Sequence, residues 1–190
     1  MAHYHALCAS LPMLKIDDAP VLSSEAFLSS CSAFVKPDKL RQLEAATLSP
    51  AEKPDPKEMK TLLGRYAAWE MSLRLSLAKL RANRLGADTS GNRFFKMDIP
   101  FETDADRAAT EAYGAPNPLE REKLLDLARW RKLEELEQGH LFDFDSLGAY
   151  RCKLLIAEKW QKRASGIPSE NLDRAASAVR ESGHSEHSAQ

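Results

Sequence analysis

Apolar side chains recur every three or four positions from residue 58 to residue 86, and this regularity constrains the fold more than any other feature. Side chains at that interval return to the same face of an α-helix. We therefore predict one long helix from Glu58 to Gly86, since a glycine can adopt the positive φ that ends a helix. Such a helix extends about 40 Å. Its apolar stripe consists of Met59, Leu62, Tyr66, Trp69, Leu73, Leu77 and Leu80.

The composition favours helices in the rest of the chain as well. The 190 residues include 53 Leu and Ala but only seven Val and Ile, the β-branched residues typical of strands. We therefore predict an all-α fold in which the long helix is central and joins an antiparallel helical hairpin in an elongated bundle. Residues 4–11 are the one exception, because their apolar run fits either a short strand or an extended core segment.

Start and stop signals predict a single helical domain over residues 1–181 and a disordered tail at 182–190. The proline-rich stretch within the domain cannot continue a helix, so it is predicted to be a surface linker. The predicted elements are short helices within 24–47, the linker at 49–56, the long helix at 58–86, the hairpin at 117–163 and a terminal helix at 169–181.

The hairpin has the clearest boundary signals. Asn117 can accept a hydrogen bond at the helix N-terminus, and Pro118 needs no donor there. Gly139 ends the first helix, and Asp143 or Asp145 caps the second. Because the connection is short, we expect the second helix to return antiparallel to the first.

Charge is distributed unevenly along a chain whose formal net charge is only −1. Residues 57–86 carry seven basic and two acidic residues, a net charge of +5, whereas 98–116 carry five acidic residues and one basic, a net charge of −4. Three interpretations are open. The basic helix faces an acidic partner or phosphate, the acidic segment folds over the basic helix, or both segments are exposed to solvent. Trp69 fits either a core or an interface position. We select as candidate partner-binding residues Lys60, Arg65, Trp69, Arg74, Arg81 and Arg84.

The sequence predicts no catalytic, cofactor-binding or metal-binding residues. The motifs GxSxG, GxxxxGK[ST], HExxH and GxGxxG are absent, although an enzyme with dispersed catalytic residues remains an alternative. The histidine pairs His3/His5 and His184/His187 lack a third ligand nearby in sequence. The near-neutral charge argues against nucleic-acid binding. Without a run of 18 apolar residues or an export signal, we expect a cytoplasmic protein.

Two blocks of residues form an extended pattern. The first block is Tyr4…Leu11-Pro12-x-Leu14 with Ser23-Ser24-Glu25-x-Phe27-Leu28. The second block is Asn117-Pro118-Leu119-Glu120, then Trp130-x-x-Leu133-Glu134-Glu135-Leu136-Glu137-x-Gly139-His140-x-Phe142-Asp143, and Tyr150-x-x-Lys153-Leu154 to Glu158-x-Trp160. These blocks resemble a small family of uncharacterised bacterial proteins that is typically encoded beside subunits of V/A-type rotary ATPases. The resemblance covers residues 4–163.

This resemblance implies a non-catalytic subunit or accessory protein similar to the ATPase C (d) subunit, the helical socket between the central stalk and the membrane rotor ring. The implied partners are subunits of the rotor ring and central stalk. The protein would be peripheral at the cytoplasmic face of the inner membrane, held there only through the complex. A socket subunit has three related helical lobes in a chain nearly twice as long, so this protein would be a reduced version or would act differently, for example in assembly. The alternative is a free-standing helical adaptor for an unrelated protein or acidic ligand.

Overall fold

The computed structural model describes residues 4–50 and 53–165, and every regular element within them is helical. The prediction of an all-α fold is therefore confirmed for these residues. The predicted terminal helix at 169–181 and the tail at 182–190 lie outside them. None of the described helices is both long and apolar enough to cross a bilayer. The helices are α1 (His5–Ser10), α2 (Ser24–Ser32), α3 (Pro37–Glu44), α4 (Leu62–Leu85), α5 (Thr103–Tyr113), α6 (Pro118–Glu137) and α7 (Phe144–Ala164).

The N-terminal apolar run is a short helix, so the prediction of a strand or extended segment at residues 4–11 is wrong. The amide of Cys8 donates to the carbonyl of Tyr4 at 2.9 Å, and Leu7 is buried. A helix satisfies its own backbone groups, whereas a strand needs a neighbouring strand. A chain this poor in β-branched residues offers no such neighbour.

The long helix α4 begins at Leu62, four residues later than predicted, because a separate 3-10 turn occupies Glu58–Lys60. Thr61 is extended, and its hydroxyl accepts a hydrogen bond from the amide of Gly64 at 3.1 Å, which caps the helix. At the other end Gly86 has a φ of 60°, as expected for a glycine that stops a helix.

Helices α6 and α7 form an antiparallel hairpin with the predicted caps. Asn117 accepts from the amide of Glu120 at 2.8 Å, and Asp143 accepts from the amide of Ser146 at 3.0 Å. Salt bridges between the two helices show the antiparallel order: as the residue number increases along α6, the number of the paired residue on α7 decreases. These pairs are Glu122–Arg163, Asp126–Lys159 and Glu137–Lys153, at 2.5, 2.7 and 2.5 Å.

Helix α7 is shared by two hydrophobic clusters. Ala149, Cys152 and Ile156 lie in the cluster formed with α4, α5 and α6. Leu147 and Leu154 lie in the second cluster, with buried residues of α1, α2 and α3. Because α7 has apolar neighbours on two sides, it joins the N-terminal helices to the rest of the bundle.

The acidic helix α5 packs against α4 and α6 through alanines. Ala105, Ala109 and Ala112 are fully buried, and their spacing places them on one helical face. Small side chains allow the backbones to approach closely. Of the acidic side chains of α5, Asp104 accepts hydrogen bonds from the indole of Trp69 on α4 and from Lys132 on α6.

Candidate functional site

The candidate partner-binding residues occupy different environments along α4. Lys60 lies in the 3-10 turn that precedes the helix, and it is exposed. Arg65, Arg81 and Arg84 are also exposed, while Arg74 is partly buried. The structure brings Arg74 and Arg81 together at one cavity, and it places Arg65 about two and a half turns of helix from Arg74.

Trp69 belongs to the core, which corrects its selection as a partner-binding residue. Only 2% of the side chain is exposed. Its indole nitrogen donates to Oδ2 of Asp104 at 2.9 Å, and its ring packs beside that of Tyr66. A buried indole usually finds such a partner, so both the polar and the apolar parts of Trp69 are satisfied within the chain.

A cavity of about 360 Å³ lies between α4, α6 and the 3-10 turn Arg93–Lys96. Its walls include three arginines, and we call it the arginine cavity. Arg74 and Arg81 belong to α4, and Arg129 belongs to α6. Seven residues separate the two α4 arginines, which places them about 10 Å apart along the helix axis on the same face.

At this cavity Arg129 is bound by two buried carboxylates, of which Glu70 also lines the cavity. Its Nε and Nη2 donate to the two oxygens of Glu70 at 2.9 and 2.7 Å, and its Nη1 donates to Asp126 at 2.7 Å. Asp126 also accepts from Lys159 and from the indole of Trp160, at 2.7 and 3.0 Å. Glu70 and Asp126 are completely buried, and these contacts tie α4, α6 and α7 together.

The electrostatics of this cluster favour a structural role for Glu70. Burial raises the pKa of the Glu70 carboxyl, and the hydrogen bonds and charge of Arg129 oppose that rise. Burial alone would lower the pKa of Arg129. Its hydrogen bonds to Glu70 outweigh that effect and raise the pKa above the ordinary value, so the guanidinium stays protonated. Glu70 is completely buried and both of its oxygens accept from Arg129, which suits a structural ion pair.

Sequence reasoning missed this buried cluster, although the pattern carried a signal for it. Glu70 lies four residues after Tyr66 and three before Leu73, which places it on the apolar stripe of α4. Arg129 lies four residues after Leu125 on the inward stripe of α6. Opposite charges on the buried stripes of two helices predict an ion pair between them.

The basic side chains of α4 form no ion pair with a carboxylate of residues 4–50 and 53–165, although the charge of Arg74 attracts the buried carboxylate of Glu70. We call this set the α4 basic surface: Arg65, Arg74, Lys79, Arg81 and Arg84. The acidic helix α5 does not neutralise it, since Asp104 pairs with Lys132 of α6 at 3.1 Å. Most bases of α6 and α7, by contrast, contact a carboxylate: Lys123, Arg129, Lys132, Lys153, Lys159 and Arg163.

His140 and Asp143 contact each other at the start of α7. His140 Nδ1 lies 2.6 Å from Asp143, the residue that caps α7. Burial would raise the pKa of Asp143, but the bonds with His140 and the Ser146 amide more than offset it, so the pKa is lowered. In the described part of the chain, no group of three or more His, Cys, Asp or Glu side chains is placed to hold a metal ion.

Residues 107–168 match a family described as "Protein of unknown function (DUF2764)". The matched segment begins within α5 and includes α6 and α7. It contains the second block of the resemblance described above. No curated protein and no solved structure matches the chain.

Proposed function

We propose that this protein is a non-catalytic subunit or accessory protein of a V/A-type ATPase, similar to the helical socket that couples the central stalk to the rotor ring. The link to such ATPases rests on the resemblance carried by residues 4–163. The observation that favours a protein-binding role is the α4 basic surface. Basic side chains without a carboxylate ion pair among the described residues can attract the acidic groups of another protein.

The packing of the helices is also suited to this role. A component that transmits force or bridges subunits must hold its shape under load. Here the buried Glu70–Arg129–Asp126 contacts join α4 and α6, and α7 is packed on both sides. Close-packed interiors have low compressibility, so a bundle built this way transmits displacement from one surface to another.

Affinity purification of the tagged protein from its native cells, after gentle detergent extraction, tests this proposal. We expect ATPase subunits to copurify with the wild type. The charge-reversal variant Arg65→Glu/Arg81→Glu should recover much less of them, because both side chains are exposed members of the α4 basic surface. Lys162→Glu is the control, since Lys162 is exposed on α7 and is not a member of that surface. Recovery of no ATPase subunit with the wild type would contradict the proposal.

A free-standing adaptor is the second candidate, because the α4 basic surface, which has no carboxylate ion pair among the described residues, would equally bind an unrelated acidic protein. The neighbouring genes separate the two candidates. The ATPase proposal expects genes for V/A-type subunits beside this one. A neighbourhood without them, combined with copurification of a different acidic protein, would favour the adaptor.

A further inference from the structure

We infer that the arginine cavity binds an acidic segment of a protein partner, with carboxylates at Arg74 and Arg81 and an apolar side chain between them. This inference rests on the protein-binding role proposed above and assigns it a specific site. The chemistry follows from the charge, the spacing and the apolar walls of the cavity.

The cavity has an excess of positive charge. Arg129 and Glu70 neutralise each other through two hydrogen bonds at 2.9 and 2.7 Å. No other carboxylate of the described residues lines the cavity, so Arg74 and Arg81 leave a net charge of +2 there. Guanidinium groups match carboxylates in geometry, because their N–H donors can form two parallel bonds.

Arg74 is prepared to receive such a ligand. Its Nη1 donates to the carbonyl of Pro50 at 2.6 Å, and its side chain is partly buried. This bond fixes the guanidinium while leaving most of its five N–H donors available. A side chain that is already ordered loses less conformational entropy when it binds.

The dimensions fit an amphipathic segment. A volume of about 360 Å³ lies at the lower end of the range for ligand pockets, which is space for a few side chains. Leu77 and Ala78 lie between the two arginines on α4, and Leu125 and Phe94 add apolar walls. Acidic side chains seven residues apart on a partner helix would match the spacing of Arg74 and Arg81.

Protein carboxylates fit this cavity better than phosphate. Phosphate sites commonly use backbone amides at a helix N-terminus or in a glycine-rich turn. Among the described residues that line the cavity there is no glycine, and the α4 residues belong to the middle and the C-terminal half of their helix. The lining instead combines guanidinium groups with apolar side chains.

The direct test is fluorescence anisotropy with full-length protein and a labelled helical peptide that carries two glutamates seven residues apart and leucine between them. A matched peptide has glutamine in place of both glutamates. We expect the glutamate peptide to bind at least about tenfold more tightly than the glutamine peptide, since only the former has charges for the two arginines. Equal binding of the two peptides, or binding of neither, would overturn the inference.

Protein variants locate the binding. Arg81→Gln should weaken binding of the glutamate peptide about fivefold, whereas Arg84→Gln should change it less than about twofold. Both arginines are exposed on α4, but only Arg81 lines the cavity. Equal losses would show attraction to the general charge of α4 and contradict the site. Unchanged thermal unfolding by circular dichroism will confirm that both variants are folded.

Two further measurements exclude other occupants. Inorganic pyrophosphate should displace the glutamate peptide only weakly. If pyrophosphate binds more tightly than the glutamate peptide, the arginine cavity is a site for small anions and the inference is overturned. Glu52 follows Pro50 by two residues and lies outside the described residues, so Glu52→Gln tests the chain's own acid as the occupant. An increase in peptide affinity above about tenfold on this substitution would indicate such an internal competitor and overturn the inference.

The purification from native cells separates this inference from the proposed function. If Arg81→Gln recovers ATPase subunits as well as the wild type does, the proposed function stands and the assigned site fails. If no ATPase subunit is recovered while the glutamate peptide still binds with the expected dependence on Arg81, the site stands and the ATPase assignment fails.

Discussion

Loss of the Arg129 side chain should lower the free energy of unfolding strongly, because two buried carboxylates depend on it for hydrogen bonds. Arg129→Met leaves Glu70 without its ion-pair partner and removes one partner of Asp126. We predict a decrease of about 3–5 kcal/mol in the free energy of unfolding, measured by urea denaturation. The double variant Glu70→Leu/Arg129→Met should recover part of that loss, since no buried charge at residue 70 then lacks a partner. A loss below about 1 kcal/mol in the single variant would contradict this role.

Arg151 offers a contrast at the same scale. It is buried, its Nε donates to the carbonyl of Leu43 at 3.3 Å, and its Nη1 has no hydrogen-bond partner among the described residues. Burying this charge has a desolvation cost that one hydrogen bond offsets only in part. We predict that Arg151→Met changes the free energy of unfolding by less than about 1 kcal/mol. A loss as large as that of Arg129→Met would show that the charge of Arg151 is required.

Three carboxylates predict how stability depends on pH. For Asp104, Glu122 and Asp143, burial tends to raise the pKa, but bonds to basic partners outweigh it and leave the pKa lowered. A carboxyl with a lowered pKa in the folded state stabilises the protein above its ordinary value near 4, and this contribution is lost as the pH falls through the folded value. The urea midpoint should therefore decrease as the pH falls below about 4. The urea midpoint of Asp143→Asn should decrease less over the same pH range. A decrease equal to that of the wild type would contradict the contribution of Asp143 to the pH dependence.

At the scale of elements, the start of α4 depends on a glycine. A side chain at Gly64 would overlap the carbonyl oxygen of Glu58, because the 3-10 turn packs directly on the helix. Gly64→Ala should lower the free energy of unfolding by about 3 kcal/mol, at the upper end for overpacking. Gly91→Ala is the matched control, since nothing lies within 4 Å of the position of its added Cβ and its φ is not in the left-handed region. Equal effects of the two substitutions would contradict the close packing.

The helices and their own caps could be predicted from sequence, whereas caps supplied by other helices could not. Asn117 and Asp143 were recognisable because each precedes the amide that it accepts from by three residues. Asp145 instead accepts from the amide of Leu62, and Glu158 accepts from the amide and hydroxyl of Ser24. Those partners are far apart in sequence, so only the packing of α7 against the other helices brings them together.

At the scale of the whole molecule, the predicted long central helix α4 packs against α5, α6 and α7, while α7 is the helix that both clusters share. Leu147 and Leu154 are seven residues apart and therefore lie on one face of α7. The small side chains of Ala149 and Cys152 lie on a second buried face, which a search for large apolar residues overlooks. For the candidate site, sequence indicated the excess of basic residues. It did not indicate which arginines share a cavity, because that depends on how α6 packs against α4.

Cross-linking mass spectrometry on native membranes tests the central claim most directly. Lys60 and Lys79 are exposed next to or within the α4 basic surface, and Lys162 on α7 is an internal control. An amine-reactive cross-linker should join Lys60 or Lys79 to subunits of a V/A-type ATPase, with fewer such links from Lys162. Cross-links to those subunits only from Lys162, or to none of them from any lysine, would contradict the account.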